Sequence, residues 1–124
     1  MKPTDSELEI LHLLWELGPS TVRTINDRLN ERREVGYTTT LKLMQIMFEK
    51  KLLTREEDGR THTYTPTVKE SDTQTILLQE FVDNTFRGSA MKMVMQALGN
   101  HEASSKELDE IKALIAQIEQ ENKL

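Results

Sequence analysis

The sequence predicts a mainly α-helical chain with one small β-hairpin: a winged helix-turn-helix DNA-binding module at residues 1–68, then a three-helix dimerisation module at residues 69–124. Three observations carry this. Apolar residues recur at helical spacing in three segments before residue 50. A Thr-rich, β-prone stretch then doubles back across Glu57-Asp58-Gly59. Beyond Pro66 only helical periodicity remains.

Thr4-Asp5-Ser6-Glu7 reads as a capping box, with Thr4 as N-cap and Glu7 reaching back to it. Leu8, Leu11, Leu14 and Trp15 follow at helical spacing until Gly18-Pro19, where Gly suits the position after a helix and Pro cannot continue it. Ser20 is the candidate cap of a second helix, built on Val22, Ile25 and Leu29 and closing near Arg32-Arg33. After Gly36 a third helix begins near Tyr37 or Thr38, with Thr40, Met44, Met47, Phe48 and the stem of Lys51 on one face. Residues 53–56 and 60–65 are the hairpin strands, since Asp-Gly between β-prone runs favours a tight turn, and Pro66 stops the second strand. Three helices followed by a hairpin is the winged-helix plan.

The turn at residues 67–72 marks the module boundary. Ser71-Asp72 caps a helix carrying Ile76, Leu77, Leu78, Phe81, Val82 and Phe86 as far as Gly88-Ser89. A shorter helix runs through Met91, Val94, Met95 and Leu98 to Gly99-Asn100. Ser104 or Ser105 caps the last, whose Leu108, Ile111, Ile115 and Ile118 keep the 3-4-3 spacing of a coiled-coil seam. These stripes are wider than one layer of short helices can hide, and an exposed apolar patch of that kind marks an interface. Leu77, Phe81, Phe86, Val94, Leu98, Leu108, Ile111, Ile115 and Ile118 are therefore the expected homodimer interface; a compact three-helix monomer is the alternative.

Composition points the same way. With 30% charged and 36% hydrophobic residues in 124, a monomer would bury a modest share of its surface, which oligomerisation remedies. The absence of cysteine excludes disulfides, thiolate metal sites and thiol nucleophiles. No apolar run is long enough to span a membrane, and the opening residues do not read as a signal peptide, so a soluble, cytoplasmic protein is expected. His12, His62 and His101 fall in three different elements without ligand spacing, and the five glycines form no phosphate loop. Ser, His and Asp have no nucleophile context. No catalytic residue, metal or small-molecule cofactor is expected.

The net charge of −5 opposes nucleic-acid binding only in sum. Residues 67–124 hold six Lys/Arg against ten Asp/Glu, whereas between Arg23 and Arg60 nine basic residues face seven acidic ones. A recognition helix turns its N-terminal residues to base edges, and here that end offers Tyr37, Thr38, Thr39, Lys42 and Gln45. A Thr hydroxyl serves a phosphate or base, Lys42 suits a phosphate or guanine, and Gln45 can pair bidentately with adenine. Arg23, near the start of its helix, and Arg60, after the hairpin turn, are candidate phosphate contacts on double-stranded DNA. Two plainer readings stay open: a solvated helix face beside a self-paired hairpin tip, and a winged helix that contacts protein rather than DNA.

Tyr37-Thr38-Thr39-Thr40-Leu41-Lys42, Met47-Phe48-Glu49-Lys50-Lys51-Leu52-Leu53, Asp58-Gly59-Arg60 and Tyr64-Thr65-Pro66 occur in that order. Together with Ser6-Glu7-Leu8-Glu9-Ile10-Leu11 and Leu14-Trp15, this resembles the family of penicillinase repressors and methicillin-resistance regulators, which includes copper-responsive repressors. The resemblance implies dimers that bind inverted-repeat operators, block promoters of resistance genes, and are inactivated when a membrane sensor protease cuts the dimerisation module. The segment cut in staphylococcal-type members aligns with Gln96-Ala97 in place of an Asn-Phe pair. Lys51 stands where members usually carry Gly, and the paired cysteines of the copper branch are missing.

Overall fold

The computed structural model describes residues 2–123. The elements run α1 (Asp5–Leu17), β1 (Ser20–Thr21), α2 (Val22–Asn30), α3 (Tyr37–Glu49), β2 (Leu53–Asp58), β3 (Thr61–Pro66), α4 (Glu70–Phe86), α5 (Ala90–Asn100) and α6 (Ser105–Asn122). The winged helix-turn-helix expected from the sequence is present. Its sheet, however, has three strands in the order β1-β3-β2, all antiparallel. Two residues are too short for periodicity to reveal β1, which exists only because Ser20 and Thr21 lie opposite Tyr64 and Thr63.

That pairing moves a cap. Ser20 belongs to the strand, and Thr21 caps α2 instead, its side chain accepting from the Thr24 N–H at 3.2 Å. Further along, α2 stops at Asn30 rather than near Arg32-Arg33. The Asn30 amide donates to the carbonyls of Asn26 and Val35 at 2.7 and 2.8 Å and accepts from the Val35 N–H at 3.1 Å. One side chain thus ends the helix and shapes the turn into α3. Similarly, α4 starts at Glu70, ahead of the expected Ser71-Asp72 cap.

The capping box of α1 forms as expected: the Glu7 N–H donates to Thr4 Oγ1, and the Thr4 N–H to Glu7 Oε1. Lys51 does not continue the α3 face. It sits just past the helix at φ 67°, where the Lys51 N–H donates to Phe48 O and the Leu52 N–H to Met47 O. This is a Schellman ending, which favours glycine because a Cβ strains the left-handed region. Thr67 supports it, donating from Oγ1 to the Lys51 carbonyl at 2.7 Å and from its N–H to the Leu52 carbonyl at 2.9 Å.

Ile10, Leu11 and Leu14 of α1, Val22, Ile25 and Leu29 of α2, Met44 and Met47 of α3, and Leu52, Leu53 and Tyr64 from the sheet side make one buried core. Within it Thr40 Oγ1 donates to Asn26 Oδ1 at 2.7 Å, a fully buried hydrogen bond between the two helices of the helix-turn-helix. The Trp15 indole donates to the Val68 carbonyl at 3.0 Å and anchors the segment after β3 to α1.

The chain divides into two compact units, residues 1–79 and 80–124, so the division falls inside α4. In the second unit Val82 is buried, and the Phe81 and Phe86 rings meet edge-on at 5.6 Å. Neither α5 nor α6 buries a single residue. Among the described residues no helix is long and apolar enough to cross a membrane.

Candidate nucleic-acid interface

The site is built on α3. Thr40, Met44 and Met47 point into the core, which turns Tyr37, Thr38, Thr39, Lys42 and Gln45 outward as one exposed arc. Gly36 is the N-cap and supplies no side-chain hydrogen bond, so the first-turn N–H groups remain open to an anion.

On one flank of α3 lies a cleft of about 320 Å³ between α2, α3 and the hairpin. Arg23, Tyr37, Gln45 and Arg60, four of the residues expected to touch DNA, line it together with Thr21, Thr61 and His62. The Arg23 guanidinium lies over the Tyr37 ring, 4.4 Å from its centroid, a cation–π contact that joins the starts of α2 and α3. On the other flank Thr38, Thr39 and Lys42 border a hollow of about 420 Å³ with Ser6, Leu43 and Ile46. The expected contacts therefore fall into two groups, one on each flank of α3.

Arg60 lies in the turn rather than in the strand, beside Gly59, whose φ of 66° the tight turn requires. Among the described residues no carboxylate ion-pairs with Arg23, Lys42 or Arg60. Elsewhere in the first unit Arg28 pairs with Glu16 and Glu31, and Arg33 with Glu9. A place near the start of its helix sets Arg23 apart in the sequence, but the α1 carboxylates that hold Arg28 and Arg33 are not legible in the spacing. Two further features also escaped spacing. Arg55 stacks on Phe48 at 4.0 Å, fixing β2 against α3, and His62 turns into the cleft. The β alternation holds the signal for the second, since His62 lies two residues from buried Tyr64 and shares its face.

Behind α3, Lys50 Nζ donates to both oxygens of Glu7, at 2.8 and 2.9 Å. Burial pushes the Glu7 carboxyl up, but the Lys50 ammonium and the Thr4 hydrogen bonds outweigh it and hold the group below its ordinary value. This pair clamps the end of α3 to the start of α1.

Of the expected interface residues, Phe81, Val94, Leu98, Leu108, Ile115 and Ile118 are exposed, while Leu77, Phe86 and Ile111 are half-buried within the chain. Ile76, Leu78, Met91, Met95 and Leu114 are exposed as well. Gln96 and Ala97 lie exposed on α5. Among the described residues no cluster of His, Cys, Asp or Glu suits a metal ion.

Comparison with known proteins bears on the family and the fold. The penicillinase repressor of Bacillus licheniformis is 24% identical over 108 residues, covering 87% of this chain and 84% of that protein. The methicillin resistance regulatory protein MecI of Mammaliicoccus sciuri is 19% identical over 112 residues, covering 90% and 91%. The solution structure of the DNA-binding domain of the repressor BlaI superposes with a TM-score of 0.51 at 25% identity, covering 58% of this chain and 93% of that one. The family model described as penicillinase repressor matches residues 3–117, and the chain belongs to the penicillinase repressor family.

Proposed function

We propose that this chain is a cytoplasmic, homodimeric transcriptional repressor that occupies an inverted-repeat operator and blocks promoters of resistance genes, with no cofactor. Residues 1–68 bind double-stranded DNA and residues 69–124 dimerise. The observation that carries this reading is the convergence of Arg23, Tyr37, Gln45 and Arg60 on one cleft beside an exposed Thr38/Thr39/Lys42 face. Phosphates are met by Arg23, Arg60, Lys42 and the open N–H groups of α3, while Thr39 and Gln45 read base edges in the major groove. The relatives named as repressors support the same reading.

Dimerisation is supported by α5 and α6, which have no fully buried residue within the chain yet carry exposed apolar stripes. Induction acts on the same module: a cut in α5 between Met93 and Gly99 by a membrane sensor protease, whichever bond is chosen, separates α6 and dissolves the dimer. The second half-site's avidity is then lost without any change at the DNA-contacting residues.

Binding of Lys42→Ala and Thr39→Ala to a site selected from random DNA tests the reading. Loss of a phosphate contact at Lys42 should weaken binding to all sequences alike and reduce the salt slope by about one per subunit. Loss of a base contact at Thr39 should cost about 1–3 kcal/mol at one position of each half-site. Unchanged binding by the double variant removes α3 from the role. A wild-type interaction without steep salt dependence points to protein rather than DNA as the partner.

A further inference from the structure

The wing contributes an uncommitted group to the cleft. His62 lies on β3 between Arg60 in the turn and buried Tyr64, and its half-buried ring stands 6.4 Å from the Tyr64 ring, tilted by 44°. Strand alternation places it on the same face of the hairpin as buried Tyr64. There it lines the cleft with Arg23 and Tyr37 from the starts of α2 and α3 and with Arg60 from its own hairpin. Across the sheet Glu57 stands in register with it, on the same face. His62 thus has cations and a phenol in front and one carboxylate on the neighbouring strand.

A phosphate between the two guanidiniums would favour the charged imidazole, because it supplies the opposing charge and an acceptor for the ring N–H. Imidazole is the one side chain whose ordinary charge change falls between about pH 5 and 8, so such a contact lies within reach of the cell's own pH. The other two histidines are placed elsewhere: His12 against Trp15 on α1, with ring centroids 5.7 Å apart, and His101 beside Glu107 at 3.1 Å.

We propose that His62 is a conditional phosphate contact of the wing, so that DNA binding by this chain takes up a proton at His62. The inference rests on the DNA-binding reading and deepens it by making affinity a function of pH. The sign follows from linkage. DNA raises the proton affinity of His62, so the extra binding free energy is fully present below the free protein's titration and is lost as pH rises through that of the complex. A rise of one unit corresponds to about tenfold tighter binding per subunit on the acid side. One further neutralised phosphate steepens the dependence of log affinity on log salt by about 0.9 per subunit.

The test is a salt titration of full-length protein at about pH 8 and about pH 5.5, on a labelled duplex carrying a site selected from random DNA. Wild type should bind with the steeper slope only at the acid pH. His62→Gln should keep the shallow slope at both, and His62→Lys the steep slope at both. Circular dichroism on each variant separates a binding change from unfolding. Identical pH dependence in wild type and His62→Gln overturns the inference while leaving the DNA-binding reading intact, and so does a His62→Lys slope no steeper than wild type at pH about 8. If folded wild type binds no DNA at either pH, both fall together.

Discussion

Glu7 is a buried carboxylate, 2% exposed, with two hydrogen bonds from Lys50 and one from the Thr4 N–H. It serves two structures at once, the cap of α1 and the clamp on α3. Its folded pKa lies below the ordinary value of 4.5, so its contribution to stability is present above about pH 4.5 and is lost as pH falls through the folded value. Lys50→Met removes the cation and leaves the charge buried. Because the Lys50 side chain is 31% exposed and water relaxes part of the loss, the expected cost near neutral pH is about 2 kcal/mol, below that of a fully buried pair. In the variant burial raises the carboxyl instead, so the deficit should shrink as the solution is acidified. Urea midpoints from about pH 7 to 4 measure this. A deficit constant across that range would assign the effect to packing and not to charge.

At the level of elements, the helix-turn-helix is held by more than its apolar stripe. Asn30 shapes the turn between α2 and α3, and the buried Thr40–Asn26 hydrogen bond sets the second helix against the first. Thr40 lies on the core side of α3, opposite the exposed arc proposed to face DNA, so its effect on binding must pass through helix placement. Thr40→Val preserves shape but leaves Asn26 Oδ1 without its donor in the core. It should cost about 1–3 kcal/mol of stability and weaken operator binding while leaving the salt slope unchanged, since no phosphate contact is lost. Thermal melts and a salt titration of the same variant check both halves. A shallower slope would mean that Thr40 acts on the phosphate contacts themselves. The Lys51 ending shows a different economy: the left-handed position is filled by a lysine, and the carbonyl it presents is taken up by Thr67.

For the whole molecule, the contrast between the two units matters most. The first has a closed core from α1 to β3, whereas α5 and α6 leave Met91, Val94, Met95, Leu108, Leu114, Ile115 and Ile118 in solvent. Helices of 11 and 18 residues with no buried residue gain little from burial in a single chain. A second copy covers these stripes in the proposed dimer. Replacing Phe81 and Ile115 together with Asp should therefore produce monomers in sedimentation, with much weaker operator binding and an intact first unit. A chain severed between Gln96 and Ala97 should behave alike. Wild type that sediments as a monomer at micromolar concentration would rule out this assembly.

Helical periodicity, the Thr4–Glu7 capping box, a hairpin turning at Gly59 and the exposed arc of α3 were all legible in the sequence, because each depends on residues close along the chain. The turn itself, however, is Gly59-Arg60, and Asp58 pairs with Thr61 in the strand. The family resemblance was legible too, carried by the third helix and the wing. What lay beyond local pattern was decided by partners far along the chain. Ser20 became a strand because Tyr64 lies opposite it, Glu7 became a buried ion because Lys50 reaches it, and Thr21 took over the cap that Ser20 gave up. The sorting of arginines followed the same rule. Arg28 and Arg33 are held by carboxylates of α1, while Arg23 stacks on Tyr37 and faces the cleft that Arg60 and His62 complete. Charge and spacing show which side chains can pair. Only the packing of α1, α2, α3 and the hairpin brings particular pairs within a few ångströms, and at that range an ion pair or a cation–π contact outweighs local preference.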